Sequence, residues 1–175
     1  MIHAYKTKWL GLPMSPELTL SHHQQRAFHP EKLSAPRDFS PSMQNISSTD
    51  ANVSHNPLVL EIGAGKGKHA LLFASQNPDT QLVAIERTRN KFEAFAKLAV
   101  QQKLTNLIPV HADAIAWIVH AIKPNSVAYI YILYPNPEPH NPNQQWLNMP
   151  FFEFLLSRLR EGGQVIVVTN IESYM

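Results

Sequence analysis

From Leu58 onward the chain alternates short apolar runs with amphipathic stretches, and it does so five times. "LVLEI", "QLVAIE", "LIPVHA", "VAYIYIL" and "QVIVVT" each have the length and β-branched content of a buried strand. Between them lie helical stretches. Lys68 to Gln76 is the first, and Arg89 to Lys103 follows with Phe92, Phe95, Ala96 and Ala99 at i, i+3, i+4 and i+7. Asp113 can cap a third helix whose stripe is Ile115, Ile118, Val119 and Ile122. Pro150 to Arg160 reads as a fourth, with Phe152, Leu155, Leu156 and Leu159 inward and Gly162-Gly163 as its stop. Strands that alternate with helices cannot be joined by tight hairpins. They build an α/β fold, a doubly wound and mostly parallel sheet with helices on both faces.

The first 56 residues lack this regularity. Ser40 to Pro57 is rich in Ser, Asn and Pro, and Trp9, Leu10, Leu12, Leu18, Leu20, Phe28 and Leu33 are scattered without a period. This divides the chain into an irregular N-terminal arm and linker, residues 1–56, and a regular domain, residues 57–175. No apolar run approaches the roughly 18 residues of a membrane span. The N-terminus has no apolar signal-peptide core, and cysteine is absent. A cytoplasmic protein without membrane contact is expected. The histidines His22, His23 and His29 lack the carboxylate or thiolate spacing of a metal site, so no metal is expected. Net charge is +2, yet Pro124 to Ser157 contains no Lys or Arg. The last strand, "VIVVT", needs cover on its open edge, either from the arm or from a second copy in a homodimer.

Chemistry-bearing residues cluster where strands end. "LEIGAGKGKHA" puts Gly63, Gly65 and Gly67 directly after the first strand, where a tight turn brings backbone close to a ligand at a helix N-terminus. Glu86 ends the second strand, 21 residues after Gly65, and an acid there suits a ribose diol. The dinucleotide pattern would need glycine where Lys68 stands, which disfavours a nicotinamide cofactor. Asp113 follows the third strand, as a helix cap, an adenine contact or both. The fourth strand runs into Tyr134-Pro135-Asn136-Pro137-Glu138-Pro139-His140, where proline ends the ladder and stiffens the exit. In open α/β sheets ligands bind at these carboxyl ends.

Leu58 to Tyr174, with "LEIGAGKGKHALLFASQNPDTQLVAIE", "NLIPVHADA", a Pro-x-Pro loop and "LREGGQVIVVTNIESY", resembles a Rossmann-like S-adenosylmethionine-dependent methyltransferase. The order Asn-Leu, Asp-Ala, Pro-x-Pro, Gly-Gly and Thr-x-x-x-x-Tyr is similar to the tRNA (guanine-N(7)-)-methyltransferase family. The resemblance implies S-adenosyl-L-methionine as cofactor and tRNA as partner. It implies that Glu61, Gly63, Gly65, Gly67, Glu86, Asp113, Ala114 and Tyr134 hold the cofactor. Asn136 would be the catalytic residue beside the methyl group and would meet the substrate base with His140, Thr169 and Asn170. The departures are specific. Asn136 stands for the family's acid, Glu138 for its tryptophan, and Asn170 for the acid of its Thr-Asp pair. The basic cluster after the fourth strand is missing, and the family pattern runs on past the position of Met175.

Guanine's ring nitrogen offers a lone pair, so orientation can carry much of the rate without prior proton removal. A carboxylate would also stabilise the charge that develops on the base. Asn136 keeps the hydrogen bonds and loses that charge. Asn136-Pro137 also resembles the first half of the Asn-Pro-Pro-aromatic loop of amino-group methyltransferases, which implies an exocyclic-amine acceptor as an alternative, and the lost acids suit a non-catalytic cofactor- or RNA-binding module. Trp117 is expected in the core, and Trp146 packed under the proline loop.

Overall fold

A computed structural model of the chain describes residues 2–6, 27–40, 56–136 and 144–170. The sheet has six strands: β1 (Ile2–Lys6), β2 (Leu58–Ile62), β3 (Gln81–Glu86), β4 (Leu107–His111), β5 (Val127–Leu133) and β6 (Leu159–Val168). Their order is β1-β6-β5-β2-β3-β4. The strands from β2 to β6 run parallel, and β1 lies antiparallel on β6. All five residues of β2 are buried, as a central strand covered on both faces must be. From β2 the chain moves outward through β3 and β4, then returns to the other side of β2 as β5. The order therefore reverses between β2 and β5, and that opens a crevice at their carboxyl ends.

Among the described residues, four α-helices cover the sheet: α1 (Lys68–Gln76), α2 (Arg89–Gln101), α3 (Ala114–Ala121) and α4 (Phe151–Leu156). Two apolar clusters, one on each face, show how they divide. Ala70, Leu71 and Ala74 of α1 and Phe95 and Ala99 of α2 pack with Val59, Leu82, Ala84 and Leu107. On the opposite face, Trp117, Ile118 and Ala121 of α3 and Phe151 and Leu155 of α4 meet Leu60, Ile62, Val83, Ile130 and Val165. Successive strand residues alternate between the clusters, as the pleat requires. The expected stripe of α2 faces inward at Phe95 and Ala99, with Phe92 and Ala96 half-buried. Trp117 is in the core, and Trp146 sits 6.2 Å from the Phe151 ring.

Three expectations about boundaries are corrected. Helix α2 stops at Gln101, because Lys103 turns left-handed at φ 53° and Leu104 N–H closes on the Ala99 carbonyl. Helix α4 is shorter than 150–160, and Leu159 belongs to β6. Gly162-Gly163 therefore does not stop a helix; it lies inside the strand as a bulge. Val127 faces Leu159 while Tyr129 faces Gln164, so two steps along β5 match five along β6. Gly162 has φ +72°, and a side chain on Gly163 would come within 2.9 Å of the Arg160 carbonyl and 3.0 Å of the Val127 carbonyl.

Two described N-terminal segments, residues 2–6 and 27–40, pack on this fold. Strand β1 pairs along β6 from Ile2–Val168 to Lys6–Gln164 and covers the edge that needed a partner. Residues 27–40 run over the α3–α4 face. There the Phe28 ring lies 5.2 Å from both Phe151 and Phe154, and His120 Nε2 is 2.9 Å from the Leu33 carbonyl. Each aromatic pair contributes about 0.5–1.5 kcal/mol beyond its buried area.

Candidate functional site

The glycine turn between β2 and α1 sets the site. Gly63, Gly65 and Gly67 have φ of 77°, 59° and 77°, all left-handed. Side chains at Gly63 and Gly65 would meet nothing within 4 Å, so backbone here borders open space. Gly67 differs: a Cβ would fall 1.9 Å from Phe95 Cδ2. Two of the glycines thus leave room above the turn, and the third lets α1 pack on α2. Gly63 and Ala64 donate to the Ile85 carbonyl at 2.9 and 3.0 Å, which ties the turn to β3.

Glu86 closes this structure from the end of β3. Its Oε2 accepts from Gly65 N–H at 2.8 Å and its Oε1 from Thr88 N–H at 2.7 Å. The residue is 6% exposed. Burial pushes the carboxyl up, but hydrogen bonds from Thr88 and Gly65, with Lys91 nearby, offset this and hold it below the ordinary value of 4.5. A carboxylate oxygen that accepts one backbone bond keeps a second lone pair for a hydroxyl. Beside Glu86 in the sheet register is His111, whose ring stacks 5.0 Å from Phe92 and whose Nε2 is 3.2 Å from the Arg87 carbonyl.

Asp113, just beyond β4, caps α3: its Oδ1 accepts from Ile115 and Ala116 N–H at 3.0 and 3.1 Å. It is exposed, and Ala114 opens the helix. Tyr134 and Asn136 follow β5, both exposed; Thr169 and Asn170 follow β6, half-buried and exposed respectively. The carboxyl ends of five parallel strands therefore gather Gly63, Gly65, Gly67, Glu86, Asp113, Ala114, Tyr134, Asn136, Thr169 and Asn170. His140 and Glu138 lie outside the described residues.

Glu61 is placed differently from the other candidates. It is 2% exposed, and its Oε2 accepts from His69 Nδ1 at 2.8 Å. His69, in the first turn of α1, packs 4.9 Å from the Tyr131 ring and 5.8 Å from Phe73. Sequence reasoning missed His69. The available signal was an acid in an otherwise apolar strand, which needs a nearby donor. Tyr131 is pushed up from its ordinary value by burial first, then by Tyr129 and Glu61. Among the described residues, no three His, Cys, Asp or Glu side chains group as a metal site.

A buried acid at the end of β3, an open glycine turn beside it and a reversal of strand order fit an adenosyl group. Residues 55–175 match the family described as "Putative methyltransferase". A tRNA (guanine-N(7)-)-methyltransferase from Nitrosomonas eutropha is 30% identical over 157 residues, 88% of this chain and 69% of the relative. The chain is a divergent member of the tRNA (guanine-N(7)-)-methyltransferase family. A "Bifunctional methyltransferase" of Rickettsia bellii is 32% identical over 142 residues, 79% of this chain. The chain spans only 24% of that relative's length. Among solved structures, the Haemonchus contortus phosphoethanolamine N-methyltransferase 2 complex with S-adenosylhomocysteine superposes with a TM-score of 0.54 at 17% identity. The match covers 73% of this chain and 27% of that one, and it gives the fold as Rossmann-like.

Proposed function

We propose that this methyltransferase-family chain transfers a methyl group from S-adenosyl-L-methionine to guanine N(7) in tRNA, in the cytoplasm. The carrying observation is Glu86, a buried carboxylate fixed between Gly65 N–H and Thr88 N–H beside the open glycine turn. The cofactor supplies an activated methyl on a sulfonium, to be displaced in line. Glu86 would hold the ribose by accepting from its hydroxyls, and the exposed carboxylate of Asp113, whose Oδ1 caps α3, would meet the adenine. The backbone of Gly63 and Gly65 allows close approach without a side chain in the way. Asn136 holds the acceptor base by its amide, which positions without adding charge.

The family supports the acceptor through the relatives' names, and the guanine lone pair suits a site whose reacting residue is an amide rather than a base. The test is transfer from labelled cofactor to total tRNA lacking its own 7-methylguanine, with the product nucleoside identified. Labelled 7-methylguanosine is the expected product. Label on an exocyclic amine would move the chain to amino acceptors. Cofactor binding without transfer to RNA, protein or small molecules would make it a binding module.

A further inference from the structure

Tyr134 stands apart from the other aromatic residues. Its φ is 49°, in the left-handed region that bulky side chains avoid, and Pro135 after it further disfavours that backbone. Among the described residues only Lys103 and Asn125 share a positive φ without being glycine. Lys103 ends a helix, and Asn125 has a side chain that tolerates the turn before β5. Tyr134 has neither excuse. Its N–H is held by the Val168 carbonyl at 2.7 Å, which clamps the end of β5 to the end of β6. At 68% exposed its ring is more open than any other exposed large hydrophobic except Val100, and it touches no other ring among the described residues. Backbone strain of this kind clusters at ligand clamps and active sites, and here it coincides with an exposed ring at a strand end.

We infer that Tyr134 is the stacking platform for the acceptor, a planar heteroaromatic base bound over the ends of β5 and β6. This rests on the methyl-transfer reading of the same crevice and departs from the cofactor role that the resemblance implies. The strand order decides between the two roles. Glu86 and Asp113 lie at the ends of β3 and β4, and β2 separates these from β5. The adenosyl group therefore belongs to one side of the reversal and Tyr134 to the other. Asn136 lies two residues beyond Tyr134, and Thr169 and Asn170 directly follow Val168, whose carbonyl holds the Tyr134 N–H, so an exposed ring and groups that can read base edges share the ends of β5 and β6. Unstacked bases are recognised by that combination.

The experiment measures binding of guanosine 5′-monophosphate and of a short guanine-containing RNA to the full chain by calorimetry, with S-adenosylhomocysteine present. Tyr134→Phe keeps the ring and stays within about threefold of the parent. Tyr134→Leu and Tyr134→Gly lose about tenfold or more, the scale of one stacked base. All three bind S-adenosylhomocysteine like the parent. The glycine variant unfolds no earlier than the parent, because glycine suits the φ that tyrosine strains to adopt, so its loss of binding is not a loss of fold. Base binding unchanged in Tyr134→Leu overturns the inference. So does a loss of S-adenosylhomocysteine affinity with base binding intact, or a parent chain that binds neither probe. A parent that binds bases through Tyr134 but transfers no methyl group upholds the platform and sinks the reaction proposed above.

Discussion

Replacing Glu86 tests the centre of the site, and the structure sets the size of the effect. The carboxylate receives two backbone N–H bonds, from Gly65 at 2.8 Å and Thr88 at 2.7 Å. In Glu86→Gln one of those donors faces an amide NH2 instead of an acceptor. A buried donor left without a partner costs about 1–3 kcal/mol of stability. In Glu86→Ala both donors lose the carboxylate, and the ribose hydroxyls lose a charged acceptor worth roughly 1.5–3 kcal/mol. At about 1.4 kcal/mol per decade, S-adenosylhomocysteine should bind the alanine variant about 10- to 150-fold more weakly. Calorimetry gives the affinity, and urea unfolding the stability. The folded carboxyl lies below the ordinary value of 4.5, so its contribution is complete above that pH and lost as pH falls through the lower folded value. The stability gap between parent and Glu86→Gln should therefore be full at pH 7 and shrink in more acid solution. A folded alanine variant with unchanged affinity would remove Glu86 from the site. A parent that prefers NAD to the sulfonium cofactor would overturn the choice of ligand.

Gly67→Ala should destabilise by about 2–5 kcal/mol, from a left-handed backbone and a Cβ placed inside the Phe95 ring, and Phe95→Ala in the same chain should give part of that loss back in urea unfolding. His69→Ala should lower stability by about 1–3 kcal/mol because Glu61 keeps its burial and loses its donor, with His69→Gln recovering some of it; equal unfolding midpoints for parent and alanine variant would show that the Glu61–His69 contact carries nothing. Since Pro124 to Ser157 holds no cation, tRNA affinity should fall only shallowly with salt, and Glu138→Lys should steepen the log–log slope by about one unit; a steep slope in the parent would mean that phosphate contacts come from elsewhere in the chain.

How far the sequence could be read depended on whether a feature was local. Helix α2 was legible because Phe92, Phe95, Ala96 and Ala99 recur at one period, and β2 because five apolar-rich residues precede a glycine turn. Asp113 was legible as a cap because its partners are the next two and three residues. Gly162-Gly163 was misread for a physical reason: a helix stop and a strand bulge both call for a left-handed backbone, so the local pattern is the same. Only the β5 pairing, with Val127 on Leu159 and Tyr129 on Gln164, separates them. His69 was hidden for the same reason, since its partners Glu61 and Tyr131 come from two different strands.

The two acids of the crevice show how little of a site's role is fixed by residue type. Glu61 and Glu86 both occur near a strand end and both are buried. Glu61 is met by a side chain, His69, whose Nδ1 lies 2.8 Å from its Oε2. Glu86 is met by two backbone donors, Gly65 N–H and Thr88 N–H, with the Thr88 side chain beside them, at the turn where Gly63 and Gly65 face open space. A backbone donor cannot swing away as a side chain can, so Glu86 is fixed in place before any ligand arrives and needs no reorganisation to accept hydroxyls. Asn136 follows β5, which β2 separates from Glu86 at the end of β3. Cofactor affinity and transfer rate should therefore separate in this chain: substitutions at Asn136 act on rate with binding preserved, and substitutions at Glu86 act on binding first.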